Sequence, residues 1–432
     1  MVNRVTCLLV ILVNFGSYNA YEIPKVTFEA FYPKGLRVSI PAEKGVNIFA
    51  VHGNINEEIQ EKEPGEFHDD VTSPRNGRFS YFNPELTLQK NDVVHYWVFV
   101  QHDRRQLLKL DQSWTVNELL PLENINCKQG ISKVDGKSSC AEDTILFSKF
   151  NSIDSTNWLV EQYIPSHPDW EFNIYQASPD IVNIENEMLH IRPKLQEQNA
   201  KRDLDLNPGC TRKDKNCFRP YISVYNPPVV SGKLQSKKSF CFGNVTVKAK
   251  LPIGDYLYPK IYLEDVIDPQ RRILIAYARG NKNYVSANGV DDGGCKYFGG
   301  PYTKVSEPQK SKYLSSFKND KVIGSEWHTF TLIWKPDLID LFMDGMHVGH
   351  HGSETLDTTG FNQDKMVRIV LGVGVGGPYE FPDGYKTSGV VKPYINQHRE
   401  AIKEFLESKH SWLNSWSDDS QLVVDYVSVI AL

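Results

Sequence analysis

Two stretches decide the fold: "RRILIAYARGN" at Arg271–Asn281 and "WHTFTLIWKPDLIDLFMDG" at Trp327–Gly345. Taken as bare sequence, both read as strand and turn, apolar runs bounded by Gly, Pro, Asn and Asp. The same pattern surrounds them across residues 144–432, in "IVNIENEMLHIRP", "FGNVTVKAKLP", "MVRIVLGVGVGG" and "QLVVDYVSVI". So many strands with so few helical patterns predict one large two-sheet sandwich. The exceptions are a loop-like segment, 199–226, and "QHREAIKEFLESKHSWLNSW" at 397–416, whose apolar spacing permits a short helix.

Upstream, residues 21–120 carry shorter strand runs, "KVTFEAFY", "LRVSIP", "VNIFAVHG", "RFSYF", "VVHYWVFVQ" and "SWTVNEL". Their spacing predicts a smaller all-β sandwich with no cysteine, held by its core alone. Residues 121–143 are polar and read as an unstructured linker. Residues 1–20 place Arg4 before an apolar run, Val5 to Phe15, and read as a secretory signal peptide cleaved after Ala20.

The chain has 432 residues, 40% hydrophobic and 23% charged, ordinary globular values. Aromatics at 12% suit sandwich cores and carbohydrate-binding surfaces alike. A formal net charge of -5 without a long Lys/Arg run argues against nucleic-acid binding. No segment after the leader approaches a membrane span, and no cofactor or metal is expected. Beyond Cys7, the cysteines are at 127, 140, 210, 217, 241 and 295. An even number in a secreted chain predicts disulfides, and proximity favours Cys127–Cys140 and Cys210–Cys217, leaving Cys241 for Cys295. Asn244 in "NVT" is an N-glycosylation sequon.

The larger segment resembles the family 16 glycoside hydrolases, the laminarinase and β-glucanase sandwich. "FCFGNVTVKAKLPIGDYLYPKIYL" looks like the family strand that leads to the substrate cleft, "RRILIAYARGN" stands at the catalytic strand, and "WHTFTLIWKPDLIDLFMDG" matches the family's paired strands. Active members carry a Glu, an Asp two residues on and a second Glu three further, with a β-bulge turning all three toward the cleft. A retaining mechanism needs that arrangement, since one carboxylate attacks the anomeric carbon while an acid protonates the leaving oxygen. Aligned on Arg279-Gly280-Asn281, the three positions here are Arg272, Leu274 and Tyr277. None can replace a carboxylate: Arg stays protonated, Leu does not titrate, and a Tyr hydroxyl is a poor acid toward an ether oxygen. The nearby acids Glu264, Asp265 and Asp268 precede a Pro-containing turn and are not expected to stand in. No catalytic residue is assigned.

The N-terminal "YEIPKVTFEAFYPKGLRVSIP", "HYWVFVQ" and "SWTV" resemble the glucan-binding module of the insect β-1,3-glucan recognition proteins, also called Gram-negative bacteria-binding proteins. The resemblance implies an all-β chain, an immunoglobulin-like β-sandwich followed by a concanavalin-like jelly-roll β-sandwich without hydrolase activity. It also implies a secreted haemolymph sensor of microbial β-1,3-glucan, in some members of peptidoglycan or lipopolysaccharide, that triggers a serine-protease cascade leading to Toll signalling or melanisation. Asp70, Trp97 and Phe99 match positions that resemble family glucan contacts, and Trp97 and Phe99, two apart, share a strand face that fits a binding platform and an ordinary core face equally. The family's aromatic-Arg pair is absent from "RRQLLKL", which leaves Arg105 or Lys109 as substitutes. In the larger domain, Tyr258 and Tyr262 stand where relatives carry cleft aromatics, and Trp170 lies in a segment resembling the family's cleft edge; sugar stacking and core packing are equal readings for all three. The rival functions are an active secreted endo-β-1,3-glucanase and a peptidoglycan sensor with little glucan affinity.

Two motif matches carry less. "GVGVGG" at 372–377 satisfies G-x-G-x-x-G but lacks the following helix and reads as strand and turn. His350 and His351 have no HExxH companion and read as solvated loop histidines beside a hairpin.

Overall fold

The computed structural model describes residues 21–432 apart from 61, 76, 104, 122–128, 213–216, 223 and 307–309. The expected signal peptide and Cys127 therefore lie outside the described residues. The chain divides into two units, Met1–Asn126 and Cys127–Leu432.

In the first unit two four-stranded sheets enclose one core. One sheet runs Arg78–Asn83, Leu36–Pro41, Thr27–Tyr32, Leu120–Pro121; the other Phe67–Val71, Val46–Ile55, Val93–His102, Arg105–Thr115. Alternation sets the inner faces: Phe28, Val38 and Ile40 meet Phe49, Val51, Val98 and Val100, all buried. Phe67–Val71, "FHDDV", was not expected as a strand, because Asp and His are poor strand formers.

The second unit is the expected large sandwich. Its ten-stranded sheet includes, in spatial order, Gln129–Val134, Phe240–Cys241, Val367–Val375, Leu257–Asp265, Arg272–Tyr277, Lys296–Tyr302 and Ser315–Lys318. Its eight-stranded sheet centres on Leu422–Ile430, Gly243–Lys250, His328–Trp334 and Leu338–Met343. Trp334, Leu332, Leu341, Ile261, Ile273 and Leu371 are fully buried between them. The permitted helix forms at Ala401–Glu407. Within 199–226, Leu204–Asp205 pairs with Phe218–Arg219, and Cys210–Cys217 closes the loop. The glycine-rich 372–377 run is the end of Val367–Val375 followed by Gly376 and Gly377 at φ 57° and 98°, a turn as read. Asn244 sits half-buried on a strand paired on both sides rather than on a loop.

Two expectations need correction. The linker reading of 121–143 fails from residue 129 onward: Gln129–Val134 and Lys137–Cys140 form a hairpin that joins the ten-stranded sheet through Phe240 and Cys241. Its two-residue turn is Asp135-Gly136, both at positive φ, the Asp-Gly signal that favours a tight hairpin. The Cys241–Cys295 pairing also fails, and both thiols are free. Cys241 lies on its strand four strand spacings from Lys296–Tyr302, which follows Cys295. At about 4.8 Å per spacing this is roughly 19 Å, far beyond a disulfide's reach. Cys140 is disulfide-bonded. Burial, reinforced by Asp364, pushes the Cys241 thiol up to about 12. Titration of the mature protein with a thiol reagent should therefore find two free thiols once it is unfolded, with Cys241 silent while it is folded. A count of zero would restore the third disulfide.

Candidate functional site

Arg272–Tyr277 lies between Leu257–Asp265 and Lys296–Tyr302, and its six side chains are all buried. Pairing with Lys296–Tyr302 shifts register between Leu274 and Tyr277. That bulge carries Tyr277, an odd number of residues beyond Leu274, to the same face. Arg272, Leu274 and Tyr277 consequently line one cleft with Tyr258, Lys260, Tyr262, Tyr302, Lys310 and Glu380. The cleft is full of protein, leaving about 10 Å³, room for at most one water.

Two of the cations that line it, Arg272 and Lys260, belong to a chain of alternating charges. Arg272 donates to Asp169 at 2.6 and 2.9 Å and pairs with Glu264 at 3.0 Å. Lys260 lies 3.6 Å from Asp169 and in close contact with Glu171. On the other side Arg212 stands 3.9 Å from Glu264 and 2.8 Å from Glu161, and Lys233 meets Glu161 at 2.9 Å. Four carboxylates thus face four cations, and each buried charge has an opposite partner, which is the condition for keeping charge out of water. Burial works against ionised Asp169, yet Arg272 and Lys260 hold its carboxyl well below the usual range.

Tyr258 and Tyr262 are correspondingly closed off from solvent. They are only 4% and 3% exposed, and the Arg272 guanidinium lies over the Tyr262 ring at 4.7 Å. Among the three aromatics expected at the cleft, Trp170 alone is open, 44% exposed, and lines a separate groove of about 270 Å³ with Phe172, Tyr379 and Ile402. Tyr277 donates to Glu380 at 2.7 Å; burial and that carboxylate push its phenol far above the usual range. Lys310 also binds Glu380, at 2.5 Å. Of the nearby acids, Glu264 is held by Arg272, and Asp265 accepts the backbone N–H groups of Ile267 and Asp268. The Arg279-Gly280-Asn281 signature is a latch. Arg279 donates to the carbonyls of Glu380 and Asp292, and Asn281 bridges the Tyr256 N–H and Asp255. A Cβ on Gly280 would meet the Gly254 carbonyl oxygen at 2.4 Å.

The first unit places a second set of predicted residues on its outer face. Cross-strand register sets Asp70 beside Ala50, Ala50 beside Phe99, and Phe99 beside Leu108. The next row is His68, His52 and Trp97. All point away from the core, whose contacts come from Phe49, Val51, Val98 and Val100. Asp70 and Leu108 are exposed and Phe99 half-buried. Trp97 is covered: it stacks on His52 at 3.9 Å, and its indole N–H donates to the Glu63 carbonyl at 2.9 Å. His52, His68 and Leu108 were missed: alternation puts His52 in phase with Ala50 on its own strand, but His68 lies on a strand that was not expected and Leu108 is placed by a bulge in its strand.

Arg105 and Lys109 do not join this face. The Tyr96↔Gln112 register, continued, would set Lys109 opposite Phe99. A bulge at Asp111, φ 51°, shifts the pairing by one, so Leu108 takes that place and Lys109 pairs with Val98. Lys109 then donates to the Ile23 carbonyl at 2.8 Å. Arg105 pairs with His102, on the same side as Lys109.

Residues 22–134 match the family CBM39, described as a carbohydrate binding domain (family 32). Relatives match over nearly the whole chain. The β-1,3-glucan-binding protein of Hyphantria cunea is 31% identical, covering 99% of each chain. β-1,3-glucan-binding protein 1 of Manduca sexta is 30% identical, covering 98% of each. Gram-negative bacteria-binding protein 1 of Drosophila melanogaster is 28% identical, also covering 98% of each. A solved endo-β-1,3-glucanase from Pyrococcus furiosus aligns with a TM-score of 0.45 at 18% identity, over 69% of this chain and 97% of that one. By this full-length likeness to its relatives, the chain belongs to the family of β-1,3-glucan-binding and Gram-negative bacteria-binding proteins.

Proposed function

We propose that this protein is a secreted receptor for microbial β-1,3-glucan that does not hydrolyse it. The observation that carries the reading is the sealed cleft. Where the relevant chemistry needs carboxylates stand Arg272, Leu274 and Tyr277, and the space a sugar would enter is occupied by paired charges. Recognition then falls to the outer face of the first unit. There an exposed Asp70 and the Phe99 ring offer a hydrogen-bond acceptor and an apolar surface to a polysaccharide. The names of the relatives support glucan as the ligand class, and the leader-like residues 1–20 support secretion. Among the described residues no helix is long and apolar enough to cross a membrane. Handing the signal to a serine protease is the step consistent with a sensor that performs no chemistry itself.

The test incubates purified mature protein with laminarin and, separately, with insoluble curdlan, chitin and peptidoglycan. Retention on curdlan with no reducing sugar released above background is the expected result. Turnover that disappears on mutating Glu264 or Asp268 would make the chain an enzyme. Retention on peptidoglycan but not on curdlan would move it to the peptidoglycan sensors.

A further inference from the structure

The hairpin Leu338–Met343 with Met346–Gly352 lies at the edge of the eight-stranded sheet, whereas Arg272–Tyr277 belongs to the ten-stranded one. Its inner face is buried through Ile339, Leu341 and Met343, so Asp340 and Phe342 point outward. Asp340 pairs directly with His350, which shares its outward face. His347, three residues before His350, would face inward on a regular strand. The register shift between Leu341 and Phe342 pairs it with Phe342 and turns it outward. The reading of His350 and His351 as loop histidines gives way here: both lie on the strand, His350 exposed and His351 buried on the opposite face.

Two imidazoles therefore converge on one carboxylate oxygen. His347 Nε2 lies 3.1 Å and His350 Nδ1 2.7 Å from Asp340 Oδ1, and the three atoms fall within 4.8 Å of one another. The Phe342 ring stands edge-on to His347 at 5.2 Å and limits its swing.

We propose that Asp340, His347 and His350 form a surface site for a zinc-class divalent ion. Tetrahedral zinc with ligands at about 2.0–2.2 Å sets its donor atoms roughly 3.3 Å apart; the two histidine–carboxylate separations are slightly shorter than this and the two imidazole nitrogens lie within 4.8 Å of each other, so side-chain rotation is enough to bring all three onto one ion. Two imidazoles and one carboxylate suit borderline ions such as zinc or copper, whereas calcium and magnesium require mainly oxygen donors. Both histidines are about half exposed, so a bound ion keeps a coordination position open to solvent, available to water or to a donor from another molecule.

The test uses untagged full-length mature protein freed of metal with a chelator, titrated with zinc by calorimetry and with cobalt by visible absorption. One equivalent of zinc and a cobalt spectrum of tetrahedral intensity are expected. His347→Ala, His350→Ala and Asp340→Asn should each weaken zinc binding by about 100-fold or more, since even outer-shell losses cost 10- to 100-fold. His398→Ala, which removes another exposed histidine-carboxylate pair, should leave it unchanged. The three residues are on the surface, so metal-free melting temperatures should agree with the parent protein. Failure of the parent to bind zinc would mean that the cluster is an ion pair only. Equal binding by parent and all three variants, or a preference for calcium, would overturn the proposal as well.

Discussion

Replacing Arg272 by leucine is expected to destabilise the second unit by about 3–5 kcal/mol, the usual cost of removing one partner of a buried ion pair. Arg272 is 3% exposed and is the link that holds Asp169 and Glu264 together. Without it, among the described residues Asp169 keeps only Lys260, at 3.6 Å, and Glu264 keeps only Arg212, at 3.9 Å, with Gln235 as a neutral donor. Arg272→Glu should be worse, because it adds a third carboxylate to the two already present. Denaturant unfolding followed by the fluorescence of the buried Trp334 and Trp412 would measure both. A triple variant, Arg272→Leu with Asp169→Asn and Glu264→Gln, should recover most of the loss, since it removes the unpaired charges along with their partner. A loss below about 1 kcal/mol for Arg272→Leu would show that water reaches the cleft, and the sealed site would have to be abandoned. By the same reasoning, a glutamate placed at position 272 would not by itself create hydrolase activity. The charges around position 272 are arranged for a cation.

How much of this could be read from the sequence follows from the range of the interactions. The strands of both sandwiches are legible because alternation is local, and so is the bulged face shared by Arg272, Leu274 and Tyr277, since the motif spacing implies it. The charge chain is not. Glu161, Asp169 and Glu171 come from the loops and short strands before Asn173–Tyr175, Lys233 from a strand some sixty residues later, and only pairing across the sheet brings them to Lys260 and Arg272. Sequence alone therefore leaves Tyr258 and Tyr262 equally open to a cleft or a core role, whereas in the fold they lie buried beneath cations. The misplaced Lys109 has a smaller cause, one bulge at Asp111 that reverses the face of the strand beyond it. The third disulfide failed because elimination among six cysteines takes no account of how many strands separate the last two.

Substitutions on the outer face of the first unit should separate ligand contacts from structure. Asp70→Asn keeps the shape but removes a charge able to accept hydrogen bonds from sugar hydroxyls. Such bonds are worth about 1.5–3 kcal/mol, so affinity for β-1,3-glucan should fall by roughly ten- to a hundredfold with the melting temperature unchanged. Phe99→Ala should weaken binding comparably, because the ring lies outside the core cluster and its loss exposes no cavity there. Trp97 is a mixed case. Its ring belongs to the same face, but its stacking on His52 and its bond to the Glu63 carbonyl also fasten a loop. Trp97→Ala should therefore weaken binding and cost about 1–2 kcal/mol of stability, less than the 3–5 kcal/mol of a core aromatic. Lys109→Ala is the control, since its strand turns it to the other face, and it should bind curdlan as the parent does. Binding isotherms with a soluble laminarin fragment, alongside thermal melts of the full chain, give both quantities for each variant. If Lys109→Ala loses affinity while Asp70→Asn and Phe99→Ala keep it, the ligand sits on the opposite side of the sheet. If none of the four variants changes it, recognition does not use this unit, and the open groove beside Trp170 becomes the place to look.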